Sequence, residues 1–249
     1  MSYFKLFGLK TEPFSNSPDP SFFYGVPGRL ECLKELEVSI RLRRGLNVVL
    51  GDVGIGKTTL CRQLLRAMAG DENIVMNLLL DPYCATPLEF MRVLHRLLCG
   101  READTNASEW QIKENVKTVL LRKGVDEGTI VVLIMDEGQK IRDDCLEVLR
   151  ELLNFETNEY KLLQIVIFAQ NEFAQTLQRM PNLDDRINLR VRLRPLTFSE
   201  SRAMIRYRIT QATAGDTVPE MFSLGGYWAV YLATRGFPRK IVTLCHKAF

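Results

Sequence analysis

The chain has 249 residues, a hydrophobic fraction of 46% and a formal net charge of +3 at pH 7. These values are typical of a globular protein with one large domain or two small ones, and they neither require nor exclude a nucleic-acid partner. The apolar run from Ile130 to Met135 is too short to cross a bilayer, and the N-terminus has no signal-peptide layout. We therefore expect no transmembrane helix within these residues.

The cysteines and histidines argue against a metal centre or a disulfide framework. The six cysteines are scattered without a C-x-x-C pair, and neither His95 nor His246 has a metal ligand at useful spacing. We therefore expect reduced cysteines in a cytoplasmic protein.

Residues 1–25 are rich in proline and aromatic residues, which predicts an ordered strap packed on the domain rather than a helix or a disordered tail. Within it, Pro13 and Phe14 either wall an adenine pocket or simply pack in the core, and the sequence leaves both alternatives open. A helical pattern follows over 29–43, and Leu46–Leu50 then has the pattern of a buried strand.

The segment after this strand matches the phosphate-loop pattern G-x-x-x-x-G-K-[ST] and leads into a helix that extends to about Met68. Its glycines let backbone N–H groups point inward as a cradle for phosphate oxygens, and the helix N-terminus adds partial positive charge. We expect Lys57 to reach the β- and γ-phosphates and the Thr58 hydroxyl to bind Mg²⁺. A plain glycine-rich turn is disfavoured because strand, motif and helix occur together. The predicted nucleotide-binding residues of the loop are Gly51, Asp52, Val53, Gly54, Ile55, Gly56, Lys57, Thr58 and Thr59.

Strands and helices then alternate. Ile74–Leu80 is predicted to be a strand, and two capping boxes, beginning at Thr86 and Ser108, predict helices. A turn is expected over 124–128. This alternation predicts a parallel sheet covered by helices.

An apolar strand over 129–135 runs directly into Asp136 and Glu137, which is the Walker B pattern. We expect the aspartate to hold Mg²⁺ through water and the glutamate to polarise the attacking water. Alone the pattern is weak, because a solvated acidic turn can follow any strand. Downstream of a phosphate loop it becomes strong, because the metal bound there needs an acidic partner.

A helix over 143–155 and a strand over 162–168 follow, and Gln170 comes just after that strand. Ligands of open α/β sheets gather at the C-terminal ends of the strands. Gln170 is therefore favoured to orient the attacking water, with helix capping as the alternative.

The region 179–194 is dense in arginine. Within it, 189–193 alternates apolar and basic residues, which predicts a strand with one wet face. Arg186 precedes that strand and is a candidate arginine finger for the nucleotide of a neighbouring subunit, with an ordinary surface arginine as the alternative.

Pro195 marks a predicted boundary between a nucleotide-binding domain, 1–195, and a lid, 196–249. No strand pattern follows, and a capping box begins at Thr197, so we expect an all-helical lid, truncated because the chain stops within a predicted helix. Arg239 falls in the first turn of the last helix, where the helix dipole disfavours a basic residue. Contact with a phosphate and a plain solvated arginine both remain open for it.

Eight short segments form a combined signature: Phe7-Gly8-Leu9, Pro13-Phe14, Pro18-Asp19-Pro20, Phe23-Tyr24, Thr59-Leu60-Cys61-Arg62, Leu152–Thr157, Leu162–Val166 and Gly236–Ile241. This signature resembles the ExeA/general secretion pathway protein A ATPases, a branch of the AAA+ superfamily, over essentially the whole chain. The resemblance implies an α/β P-loop NTPase fold of the AAA+/ASCE type. It also implies a five-stranded parallel sheet of order 5-1-4-3-2 and a small C-terminal helical lid.

The resemblance also implies residue roles. Gln170 corresponds to sensor 1, Arg239 to sensor 2, and Arg186 to a candidate finger. One departure is Gly138, where the family usually has alanine in Asp-Glu-Ala-Gln. We expect this change to be tolerated, with a looser turn around Glu137.

The combined prediction is an ATP- and Mg²⁺-binding ATPase that energises or regulates assembly of an envelope-spanning secretion, pilus or polysaccharide export machine. We expect a homo-oligomer, a ring or a dimer, in the cytoplasm at the inner membrane, with a membrane-associated partner protein. One alternative is a DNA-associated AAA+ regulator of transposition or replication, with 179–194 as its DNA face. Another is a small-molecule kinase, against which Glu137 argues because it favours water as the nucleophile.

Overall fold

The computed structural model describes Phe4 and residues 7–15, 22–213 and 219–248. The predicted strap and the predicted lid therefore lie partly outside the described residues. The chain divides into two compact units. One comprises the described residues of Met1–Leu30, Asp52–Thr59 and Leu193–Phe249, and the other comprises Glu31–Gly51 and Leu60–Arg192.

A parallel sheet forms the centre of the second unit, and among the described residues it has five strands in the order β2-β3-β4-β1-β5. This order confirms the predicted 5-1-4-3-2. The interior strands β1 and β4 are buried throughout and mostly apolar because both faces of the sheet are covered, whereas edge strand β5 alternates half-buried and exposed residues. The strands are β1 (Leu46–Leu50), β2 (Ile74–Leu79), β3 (Ile130–Met135), β4 (Leu163–Ala169) and β5 (Ile187–Arg192).

The helices begin where the sequence places caps. Thr86, Ser108 and Thr197 each accept a hydrogen bond from the backbone N–H three residues later, as the capping boxes predict. The described α-helices are α1 (Pro27–Arg41), α2 (Lys57–Met68), α3 (Pro87–Cys99), α4 (Glu109–Leu121), α5 (Asp143–Leu152), α6 (Phe173–Gln178), α7 (Pro181–Asp184), α8 (Phe198–Ala212), α9 (Leu224–Thr234) and α10 (Pro238–Lys247).

The prediction of a turn over 124–128 was wrong. Instead, α4 continues into a π-helical turn, Arg122–Asp126, in which Glu127 N–H donates to Arg122 O at 3.0 Å. Gly124 packs against Leu162, whose Cδ2 would lie 2.9 Å from a Cβ added at this glycine.

Each unit has its own apolar core. In the second unit, buried side chains of α3, α4 and α5 pack on the strands. In the first unit, Leu9, Phe14 and Phe22 pack with buried residues of α8, α9 and α10. The N-terminal segment is also tied to α8 by polar contacts, because Arg208 Nε donates to Pro13 O at 2.7 Å. No helix within the described residues is long and apolar enough to cross a membrane.

Candidate nucleotide-binding site

Three predicted motifs begin at one edge of the sheet. Gly51 follows β1, Asp136 follows β3 and Gln170 follows β4, and these three strands are neighbours. Backbone bonds extend the sheet at this edge, because Gly51 N–H donates to Ala169 O at 3.1 Å and Asp136 N–H donates to Leu79 O at 3.0 Å. The C-terminal edge of an open parallel sheet is where such folds bind ligands.

The backbone of the phosphate loop takes conformations that favour glycine. Gly54 has φ 77° and Gly56 has φ 103°, both in the left-handed region. The Asp52 carbonyl accepts from Ile55 N–H at 3.3 Å and from Lys57 Nζ at 3.2 Å. The Lys57 side chain is buried, so its ammonium group is held against the loop backbone.

Two arginines contact the carbonyls of this loop. Arg239 N–H donates to Gly54 O at 3.1 Å, so the first turn of α10 lies against the loop. The role of Arg239 as sensor 2 stays a prediction. The Arg29 guanidinium donates to Ile55 O at 2.7 Å. Sequence reasoning missed Arg29, although it is a basic residue in the first turn of α1, the same signal that drew attention to Arg239.

At the end of β3, the acidic pair is held by short-range hydrogen bonds. Asp136 is buried, and its Oδ1 accepts from Glu137 N–H at 3.0 Å. Glu137 itself is left-handed, with φ 55°. A positive φ at a residue other than glycine is uncommon and often accompanies a functional side chain.

Gln139 links Glu137 to Gln170. Its Nε2 donates to Glu137 Oε2 at 2.5 Å, and its Oε1 accepts from Gln170 N–H at 3.0 Å. The backbone N–H is a donor only, so it fixes which end of the Gln139 amide faces the glutamate. The structure thus brings the predicted base and the predicted sensor 1 residue together through a residue to which the sequence assigned no role.

The sequence predicted a looser turn at Gly138, but the structure shows tight packing at this glycine. A Cβ built on it would lie 2.2 Å from Ile167 Cγ2 and 3.2 Å from Ala169 Cβ. The turn after β3 therefore packs tightly on β4. In this chain, glycine permits that contact.

Two other predicted site residues, Arg186 and Phe14, make contacts within the described structure that are unrelated to a nucleotide. Arg186 Nη1 donates to Arg150 O at 3.1 Å and also to the Asn154 side chain. Phe14 is only 1% exposed and packs edge-to-face on Phe222. The roles of Arg186 as a finger and of Pro13 and Phe14 at an adenine ring stay predictions.

The residues predicted to hold Mg²⁺ have suitable chemistry. Thr58 offers a hydroxyl oxygen at the start of α2, and Asp136 offers a carboxylate. Oxygen ligands of these types are the ones Mg²⁺ takes beside substrate phosphates.

Comparisons with known proteins identify the family to which this chain belongs. A family model described as an AAA domain matches residues 40–177. The chain is 31% identical over 251 residues to the General secretion pathway protein A of Aeromonas hydrophila, covering 99% of this chain and 44% of that protein. The chain therefore spans less than half the length of this relative.

Solved structures share the fold at low identity. Cdc6p from Pyrobaculum aerophilum aligns with TM-score 0.71 and 16% identity, covering 96% of this chain and 65% of that one. The Aeropyrum pernix ORC2 protein in its ADPNP-ADP complexes aligns with TM-score 0.63 and 17% identity, covering 93% and 64%. Domain III of Thermotoga maritima DnaA aligns with TM-score 0.52 and 19% identity, covering 93% and 87%.

The sheet order, the loop after β1 and the acidic pair after β3 define a P-loop ATPase of the AAA+ class. The chain belongs to the AAA domain family. Its resemblance to the general secretion pathway protein A ATPases is confirmed. The replication proteins are too distant to show more than the fold, so they do not favour the DNA-associated alternative.

Proposed function

We propose that this chain binds ATP with Mg²⁺ and hydrolyses ATP to ADP and phosphate. It thereby energises or regulates assembly of an envelope-spanning secretion, pilus or polysaccharide export machine. The observation that carries the hydrolytic part is the bonding of Glu137 through Gln139 to Gln170 at the sheet edge. A carboxylate bonded in this way can serve as the base that accepts a proton from an attacking water.

The loop residues act on the phosphates. Lys57 and the backbone N–H groups of the loop stabilise negative charge on the β- and γ-phosphates. Thr58 and Asp136 hold Mg²⁺, which supplies charge neutralisation on the phosphate oxygens when bound. Arg239 senses the γ-phosphate from the first turn of α10.

Glu137 accepts a proton from the attacking water. The water oxygen forms a bond to the γ-phosphorus as the bond from that phosphorus to the bridging oxygen breaks, and ADP leaves with the bond electrons. Gln170 orients the water, and Arg186 of a neighbouring copy stabilises charge on the transferred group. An arginine supplied in this way couples hydrolysis to a homo-oligomer, a ring or a dimer.

The cellular role rests on the similarity to General secretion pathway protein A. We infer a cytoplasmic domain at the inner membrane that works with a membrane-associated partner protein of the secretion or export machinery.

The test is ATP hydrolysis measured against protein concentration. We expect specific activity to rise with concentration, and Glu137→Gln to lower kcat by about 10²-fold or more while ATP binding is retained. Arg186→Ala is expected to lower kcat and to remove the concentration dependence.

Two outcomes would contradict parts of this proposal. Activity that is independent of concentration, together with a silent Arg186→Ala, would exclude the finger. Failure of the wild-type chain to bind ATP, under conditions where Lys57→Ala behaves identically, would exclude the nucleotide site itself.

A further inference from the structure

Arg29 has an unusual environment for a charged side chain. It is only 7% exposed, and no carboxylate among the described residues lies within ion-pair distance of it. Its Nε has no hydrogen-bond partner in the described part of the chain. A buried charge without a counterion is unfavourable, so something outside the described structure is expected to balance it.

The position of Arg29 in its helix makes burial of the charge still less favourable. Arg29 lies in the first turn of α1, where the partial charge of the helix is also positive. Burial lowers the pKa of Arg29, with partial compensation from Glu200. The Glu200 carboxylate is itself bonded to Thr197 N–H and Oγ1 as a helix cap.

The contacts of the guanidinium are with the phosphate loop. One Nη donates to Ile55 O at 2.7 Å, and the other would lie 3.1 Å from a Cβ added at Gly56. Ile55 C=O and Gly56 N–H belong to one planar trans peptide and therefore point in opposite directions. Fixing the carbonyl toward Arg29 turns the Gly56 N–H to the other side.

Arg239 acts in the same way on the preceding peptide. Its backbone N–H holds Gly54 O at 3.1 Å. Two successive peptide planes of the loop are thus set by groups from α1 and α10. Oriented N–H groups of this kind form anion-binding concavities.

We propose that Arg29 is a positioning residue of the phosphate loop, which fixes the Ile55–Gly56 peptide and whose charge is balanced by the phosphates of a bound nucleoside di- or triphosphate. This inference rests on the proposed nucleotide site. The guanidinium lies on the carbonyl side of this peptide, opposite the Gly56 N–H, so its charge acts on the phosphates across the loop and not by direct contact.

The test compares Arg29→Met with the wild-type chain by calorimetric titration with Mg·ADP and Mg·ATP. Arg29→Met keeps the length of the side chain and removes the charge and the donors. We expect its affinity for both nucleotides to fall at least about tenfold, and Arg29→Lys to recover part of the loss because it restores the charge. Arg194→Met removes an exposed arginine and is the matched control, expected to bind as the wild type does.

Thermal denaturation distinguishes positioning from plain packing. Without nucleotide, Arg29→Met is expected to unfold at the wild-type temperature or higher, because an unpaired buried charge has been removed. Its nucleotide-induced rise in Tm is expected to be much smaller than that of the wild type.

Two results would overturn the inference while leaving the nucleotide site intact. One is wild-type affinity of Arg29→Met for Mg·ADP and Mg·ATP. The other is a lower Tm without nucleotide combined with an unchanged nucleotide-induced rise. A wild-type chain that shows no nucleotide-induced rise and no binding would instead remove the proposed function, and this inference with it.

Discussion

At the scale of single residues, the site depends on side chains that hold other side chains. Glu137 lies two residues after the end of strand β3, but its carboxylate is oriented by Gln139, which in turn bonds to Gln170 N–H. The sequence identified Glu137 and Gln170 as site residues but assigned no role to Gln139, which links them. Gln139 stands in the family motif Asp-Glu-Ala-Gln, but the motif alone gives it no partner, and only the adjacency of β3 and β4 brings it to Gln170.

Replacing Gln139 by leucine tests this arrangement. Gln139→Leu keeps the approximate volume and removes both hydrogen bonds. We expect kcat to fall about tenfold or more, because Glu137 loses the donor that orients it, while the Kd for ATP stays within about twofold. ATP turnover and equilibrium binding are the two measurements.

The control for this variant is Gln175→Leu, on an exposed position of α6. It is expected to leave both quantities unchanged. An unaltered kcat in Gln139→Leu would mean that Glu137 is oriented without this residue.

At the scale of elements, the turn after β3 and strand β4 fit together with almost no free space. Sequence reasoning expected Gly138 to be tolerated and to loosen the turn. The contact with Ile167 shows that the glycine instead allows close approach, because the β-branched side chain of Ile167 cannot easily move its Cγ2 away.

Gly138→Ala is therefore expected to lower the free energy of unfolding by about 1–3 kcal/mol through overpacking. Urea denaturation measures this change. In an Ile167→Ala background the same substitution should cost less, because the clashing methyl group is absent. Gly70→Ala, where nothing lies within 4 Å of the added Cβ, is the control and should be close to neutral. Equal stability of Gly138→Ala and the wild type would show that the turn can relax.

At the scale of the whole molecule, both units bury cysteine thiols. Burial raises the pKa of Cys32 in α1 and of Cys245 in α10 to about 12. The folded protein keeps these thiols protonated, while the unfolded chain ionises them near their ordinary value of 9.0. Their contribution to stability is therefore fully present below pH 9 and is lost as the pH rises from there toward 12.

We expect the free energy of unfolding to decrease between about pH 8 and about pH 10, with a smaller decrease in the Cys32→Ala/Cys245→Ala double variant. Urea titrations at the two pH values give both slopes. Val230→Ala also removes buried volume but no thiol, so it should lower stability by a similar amount at both pH values. Identical slopes in the wild type and the double cysteine variant would show that these thiols do not contribute.

The sequence by itself determined the parts of this protein that depend on local chemistry. The loop motif, the acidic pair and the capping boxes are short patterns whose geometry follows from neighbouring residues. The sheet order came from the family resemblance. The helix caps and the sheet order agree with the structure, whereas a π-helical turn after α4 replaces the turn expected over 124–128.

The tertiary structure alone decided which residues support that site. Arg29 and Ile55 are 26 positions apart, and Gln139 and Gln170 are 31 apart. Gly138 meets Ile167 only because β3 and β4 pair in a fixed register. Such contacts depend on packing between distant segments. No period or spacing in a single sequence predicts these long-range contacts.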